Sequence, residues 1–345
     1  MAKKVTIATV AKYAGVSRQT VSNVLNSPEV VREETRRKVY EAVEALGYRV
    51  SQAARQMRTG RSRLIATRIE STGDGINGSV LDRFLHALTE SAAQNGYRVL
   101  LYTAADDDAE IATYEDLLGT YKPDAFVLAS THHRDTRTTW LAERRLPFVT
   151  FGRPWDAPDR HLWVDVDGAA GTEAATRHLL EAGHERIGFL GWPAGSGVGD
   201  DRRQGWLRAM AAAGQDPTGL DHACPDEVPA AEAVVGELLG RDPVPTALVC
   251  ASDSLALGAL QASRALGRPL AVTGFDDTPV ARAIGLTSVS QPLEEAAARC
   301  VRLLTRLLDG DAAAEESVLL QPSLVVRDTT YPPRNTQDQD NRHDT

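Results

Sequence analysis

Ser17, Arg18, Gln19 and Thr20 are side chains able to read base edges or hold phosphates, and they stand where one short helical pattern gives way to another. In TIATVAKYAGVSRQTVSNVLN, the apolar residues Ile7, Val10, Ala11, Val16, Val21 and Val24 recur at helical spacing. They can lock two helices across a tight turn at Gly15, where glycine accepts a left-handed backbone without strain. Ser17 is placed to cap the second helix, whose first side chains then project outward. A DNA major groove admits one helix, and arginine or glutamine on it can pair in two-pronged fashion with guanine or adenine.

Other residues with chemical potential are fewer. Trp192 follows an expected strand end, where an indole could stack on the apolar face of a pyranose, with core packing as its alternative use. The run FLGWPAGSGVGDDRRQGW is glycine-rich but lacks both the GK(S/T) of a P-loop and the GxGxxG spacing of a dinucleotide site. His132 and His133 have no third ligand at a suitable spacing, so no metal site is expected. Cys224, Cys250 and Cys300 form no CxxC pair and read as free thiols. No cofactor is expected.

The elements that must position these residues divide the chain in two. Residues 1–63 carry 13 Lys/Arg against 5 Asp/Glu, a net charge of +8; the whole chain is at -9, so the remainder stands at -17. A basic head on an acidic body is the asymmetry expected when one end meets phosphates and the other must not. Helices are expected from Thr6 to Tyr13, from Ser17 to about Asn26, and from about Arg32 to a stop at Gly47. Residues 51–62 are polar and alanine-rich, a linker with helical potential. Beyond it, strands are expected at 64–69, 125–129, 148–151, 186–190, 247–251 and 271–275. They alternate with helices at 80–94, 169–182, 203–213, 231–239, 254–266 and 294–308, the pattern of parallel sheets covered on both faces. The expected organisation is an all-α helix-turn-helix head (1–50), a hinge (51–62), a two-lobed α/β body (63–330) and a polar, disordered tail (331–345). No membrane span or signal peptide is apparent, and a cytoplasmic protein is expected.

The head, with VREETRRKVYEAVEALGY after it, resembles the DNA-binding domain of the lactose-repressor (LacI/GalR) family, and the resemblance runs to about Gln337. It implies base contacts from Arg18, Gln19 and Asn23 and phosphate contacts at Thr6, Ser17 and Thr20 or the amides beside them. SQAARQMRTG resembles the family's hinge helix, which folds on the minor groove, so Arg55, Met57 and Arg58 join the DNA-contacting set. Met57 replaces the usual leucine wedge and Val50 the usual proline before the hinge; a plain surface linker is the alternative reading. VCASDSLALGAL, VTGFDDTPVARAIGLTSVSQP and LLQPSLVVRDTT resemble the family's periplasmic-binding-protein-like body. That implies a ligand cleft between two lobes, with Ser252 (usually Asn), Asp253 and Asp276 at strand ends. For Asp276 a turn or capping role in GFDDTP is the alternative. An arginine three residues before a glycine points into the family's cleft, which selects Arg202 before Gly205. FGRPWD adds Gly152 and Arg153 to the wall and, with LASTHHRDTR upstream, is similar to members that bind glucosides and disaccharides.

A sugar-controlled transcription regulator accounts for the charge split, the hinge and the cleft together. A glycosidase needs two carboxylates with separated pKa values, whereas Asp253 and Asp276 have a simpler role as hydroxyl acceptors. An exported sugar-binding protein needs no basic head. A nucleoside or purine effector is the second reading within the first class. The implied partners are double-stranded DNA with a pseudo-palindromic operator, a sugar, and a second copy in a homodimer or tetramer, with sugar weakening DNA binding and no role for a membrane.

Overall fold

The computed structural model describes residues 5–48, 56, 60–69, 75–157, 160–311 and 316–331. Arg55, Met57, Arg58, Val50 and the tail beyond Tyr331 lie outside them. The chain forms two compact units, residues 1–62 and 63–345.

In the first unit, α1 (Ile7–Ala14) begins at Thr6, whose side chain exchanges capping hydrogen bonds with Thr9, and ends at Gly15 with φ of 66°. Ser17 opens α2 (Arg18–Asn26) by accepting from the Thr20 amide. A short 3-10 turn at Pro28–Val30 leads to α3 (Glu33–Leu46), which Gly47 terminates at φ 59°. Val10, Ala11, Val21, Val24, Val39 and Ala42 make the core. The apolar spacing thus turns one face of each helix inward and leaves Arg18 and Gln19 exposed.

The second unit holds two six-stranded sheets. In the first lobe the elements are β1 (Leu64–Arg68), α4 (Gly75–Gln94), β2 (Arg98–Tyr102), α5 (Asp107–Thr120), β3 (Ala125–Leu128), α6 (Thr136–Glu143), β4 (Phe148–Phe151) and β5 (Trp163–Val166). The second lobe follows with α7 (Gly168–Glu181), β6 (Ile187–Gly191), α8 (Gly197–Ala212), β7 (Asp221–Ala223), α9 (Val228–Leu239), β8 (Ala247–Cys250), α10 (Asp253–Leu266), β9 (Ala271–Phe275), α11 (Pro279–Ala283) and β10 (Thr287–Ser290). The chain then returns through α12 (Leu293–Asp309) and β11 (Val318–Leu320) to the first lobe and ends through β12 (Ser323–Val325) in the second. The sheet orders are β11-β5-β4-β3-β1-β2, parallel throughout, and β12-β10-β9-β8-β6-β7, parallel except that β12 runs against β10. The lobes are therefore joined by three strands of chain, after β5, after β10 and between β11 and β12.

All six strands expected from the sequence form. Those not foreseen are mostly short or lie at sheet edges, where the period-2 signal is weak: β7, β11 and β12 have three residues each. The helices α5 and α6 were also not foreseen. Their inward faces carry charge as well as apolar groups, and that charge forms a buried cluster. Glu110 accepts from the hydroxyls of Tyr102 and Tyr114 at 2.8 and 2.7 Å and pairs with Arg68 at 2.7 Å and Arg137 at 3.1 Å. Arg137 also grips Asp135 at 2.7 Å and donates to the Ala129 and Ser130 carbonyls, which fixes the loop that follows β3. Removing one member of such a cluster leaves buried charge unpaired. Glu110→Ala is expected to lower unfolding free energy by about 3–5 kcal/mol in denaturant titration; a loss under about 1 kcal/mol would show that the cluster relaxes without it.

Candidate functional site

The C-terminal ends of the strands in both sheets face one cavity of ≈ 210 Å³ in the second unit. Its wall includes Phe151 and Trp155 from the first lobe, and Trp192, Arg202, Asp226 and Asp276 from the second. Trp192, Arg202 and Asp276 were picked out by the sequence.

Arg202 occupies its place because of Gly205. A Cβ at Gly205 would lie 2.0 Å from the Ala169 carbonyl, so only glycine lets α8 press this closely on α7. Arg202, one turn earlier, is carried inward and is 6% exposed. Its guanidinium lies over the Phe275 ring at 3.6 Å and 5.3 Å from the Trp192 ring centroid. One Nη donates to the Ala251 carbonyl at 2.5 Å and the other lies 3.5 Å from Asp276 Oδ1. Arg202 Nε and Trp192 Nε1 are buried without a hydrogen-bond partner, two donors on the wall of the cavity. Burial pushes the Asp226 carboxyl up, opposed by the Ser252 hydroxyl and the nearby Trp192 indole, which makes no full hydrogen bond there.

Asp276 follows β9 with φ of 106°, a conformation that side-chain-bearing residues rarely adopt. Gln291 Nε2 donates to its Oδ1 at 2.6 Å. Burial pushes its carboxyl up, opposed by Arg202 and Gln291. The alternative turn and capping roles in GFDDTP fall to its neighbours. Thr278 caps α11, and Asp277 pairs with Arg282 at 3.0 Å and with Arg327 at 2.5 Å.

Three of the residues selected from the sequence stand outside this wall. Ser252 is fully buried as the N-cap of α10, accepts from the Leu255 amide and donates to Asp226 Oδ1 at 2.5 Å. Asp253 accepts from the Thr278 amide at 2.7 Å and from the Ser288 hydroxyl at 2.6 Å, tying α10 to the loop that carries Asp276. Arg153 lies behind the wall, bound to Asp165 at 2.6 Å and Asp201 at 3.3 Å. The strand-end position of Ser252 and Asp253 was legible, but the direction of their side chains depends on the packing of α10. Sequence reasoning missed Asp226, Gln291, Trp155 and Asp201. The last three lie inside segments already singled out, whereas Asp226 sits in a loop after β7 with no periodic signal.

His132 also departs from expectation, because Asp107 and Asp135 come beside it, with donor atoms within 4.8 Å of one another. Both carboxylates are already engaged by the Arg137 guanidinium, at 3.4 and 2.7 Å, which opposes a cation there. His133 pairs instead with Asp156 at 2.8 Å.

In the head, Gln19 Nε2 donates to Asn23 Oδ1 at 2.9 Å, so these two side chains share the outward face of α2 with Arg18. The Ser17 and Thr20 hydroxyls bond each other at 2.9 Å, and the Thr6 and Thr9 hydroxyls do so at 3.1 Å.

Burial, with the nearby Asp276 charge, pushes the Asp253 carboxyl up to about 7. Between its ordinary value near about 4 and that value, the folded protein keeps a proton that the unfolded chain releases, so this group's contribution to stability falls as pH rises through the window. Burial holds His161 down at about 4, and its contribution runs the opposite way, lost as pH falls from about 6.5. The two are separated by comparison with Asp253→Asn: the wild-type unfolding free energy relative to that variant should decline from about pH 4.5 to 7. A difference that stays flat across the range would place the carboxyl in an ordinary environment.

Residues 6–51 match the family described as bacterial regulatory proteins, lacI family, and residues 176–330 match the periplasmic binding protein-like domain. The HTH-type transcriptional regulator CelR of Thermobifida fusca is 32% identical over 342 residues, covering 95% of this chain and 98% of its own. A solved complex of the transcriptional regulator CelR with cellobiose is 30% identical with a TM-score of 0.70, covering 94% of this chain and 99% of that one. The lac repressor dimer bound to operator and the anti-inducer ONPF superposes with a TM-score of 0.83 at 27% identity, covering 95% and 100%. A helix-turn-helix head and two parallel-sheet lobes, matched along almost their whole length, make this chain a member of the LacI family of DNA-binding transcription regulators.

Proposed function

We propose that this regulator is a repressor whose operator affinity is lowered by a neutral saccharide, most simply a disaccharide or glucoside, bound between the two lobes. The observation that carries the reading is the composition of the cavity wall. Asp226 and Asp276 offer acceptors for hydroxyls, Arg202 Nε and Trp192 Nε1 are buried donors lacking partners, and indole faces lie beside them. Asp165 and Asp201 also line the cavity, so carboxylates outnumber the guanidiniums of Arg202 and of Arg153 behind it. That balance disfavours an anionic ligand such as a uronate or sugar phosphate and suits an uncharged polyol. The solved relative with cellobiose supports the same class. Membership in a family of regulators sets aside the glycosidase alternative.

On the DNA side, Arg18, Gln19 and Asn23 are assigned to base edges. Thr6, Ser17 and Thr20, through free lone pairs or neighbouring amides, are assigned to phosphates, and Arg55, Met57 and Arg58 to the minor groove at the centre of a pseudo-palindrome. The protein then works as a dimer in the cytoplasm, where its operator is; among the described residues no helix is long and apolar enough to cross a membrane.

Two measurements test the reading. Titrating operator-bound protein with cellobiose, maltose and related sugars in a gel-shift assay should release DNA with at least one of them. Strengthened binding would overturn induction, and no thermal shift with any saccharide would overturn the effector class. Arg18→Ala should weaken operator binding by about 1–3 kcal/mol and relax preference at one base pair per half-site; a uniform loss across all sequences would assign Arg18 to phosphate instead.

A further inference from the structure

The glycine-rich run that sequence reasoning could exclude as a phosphate loop has another use. Gly197 and Gly199 lie in the first turn of α8, and each faces an indole. A Cβ on Gly197 would fall 2.3–2.5 Å from the ring atoms of Trp155, and one on Gly199 would fall 3.0 Å from Trp192. Neither glycine has the positive φ that would itself call for glycine. In a helix alanine is favoured over glycine, so what excludes a side chain at Gly197 is the indole and not the backbone.

Trp155 belongs to the other lobe. It follows β4, its Nε1 donates to the Thr131 carbonyl at 3.2 Å, and its ring carries the Arg153 guanidinium at 4.9 Å from the centroid. Arg153 in turn spans the lobes, holding Asp165 in the first and Asp201 on α8 in the second. The segment after β4 therefore makes two contacts across the cleft, an ion pair and an aromatic ring seated on bare backbone. Val198, between the two glycines, lines the cavity with both tryptophans.

Resting on the saccharide reading above, we infer that Trp155 is an effector-binding residue: it forms a second aromatic wall opposite the Trp192 side, and it reaches this position only when the lobes close and its ring seats on Gly197. The ligand class is a saccharide with apolar ring faces on both sides, stacked by indoles contributed from the two lobes. Closure and binding are coupled because the wall is complete only in the closed arrangement.

The test uses the full-length protein and the variants Gly197→Ala, Trp155→Phe, Trp155→Ala and the Trp155→Ala/Gly197→Ala pair, each first checked for a cooperative thermal transition. Without ligand, the fluorescence assigned to Trp155 by difference from Trp155→Phe should be better shielded from acrylamide in the wild type than in Gly197→Ala, and saccharide should shield it further in the wild type alone. With the saccharide that gives the largest thermal shift, Gly197→Ala and Trp155→Ala should each weaken binding by about tenfold or more, and the pair should be no weaker than Trp155→Ala alone. Unchanged quenching in Gly197→Ala, or additive losses in the pair, would overturn the inference. If no saccharide binds the wild type, the effector reading fails, while the quenching result still decides whether the ring sits on Gly197.

Discussion

A guanidinium buried between two lobes is the constraint around which the body of this protein is arranged. Arg202 is almost fully removed from water, and a buried cation is tolerated only with partners whose geometry is fixed. Those partners come from three places: the Phe275 ring, the Ala251 carbonyl and the Asp276 carboxylate. Each stands at the C-terminal end of β8 or β9, so the register of the second sheet decides whether the charge is satisfied. Asp276 is held in an unfavourable backbone conformation by its surroundings: Gln291 binds it, Asp253 anchors the Thr278 amide two residues on, and Asp277 is clamped by Arg282 and Arg327. The last motif of the chain, around Arg327, thus braces the cavity wall from behind.

The same arrangement links the two lobes. The wall of the cavity is shared between strand ends of both sheets, and the chain crosses from one lobe to the other three times. A ligand that satisfies donors on the second lobe and meets the aromatic groups of the first adds free energy only to the closed arrangement. That differential is what a regulator needs, since a ligand that binds two states equally shifts neither.

Much of this was legible in the residues. Gly15, Gly47 and the apolar positions of α1, α2 and α3 specify the head, because helix period and left-handed caps are local signals. Arg202 was located through the family resemblance, and the glycine in that spacing, Gly205, marks in the structure a close crossing of α7 and α8. What was not legible depends on side-chain direction or on loops. Ser252 and Asp253 stand at a strand end as expected yet point into capping and bracing bonds. Asp226 and Trp155 reach the cavity from irregular segments, and Glu110 with Arg137 forms its cluster through contacts far apart in the chain.

The central claim is that occupancy of the interlobe cavity and binding of DNA by the head draw on one coupled equilibrium. Such coupling is reciprocal. The direct measurement is the dissociation constant of the saccharide for the full-length protein, by calorimetry, with and without saturating operator DNA. The account predicts that operator weakens saccharide binding by the same factor by which saccharide weakens operator binding; a saccharide affinity indifferent to operator would contradict it.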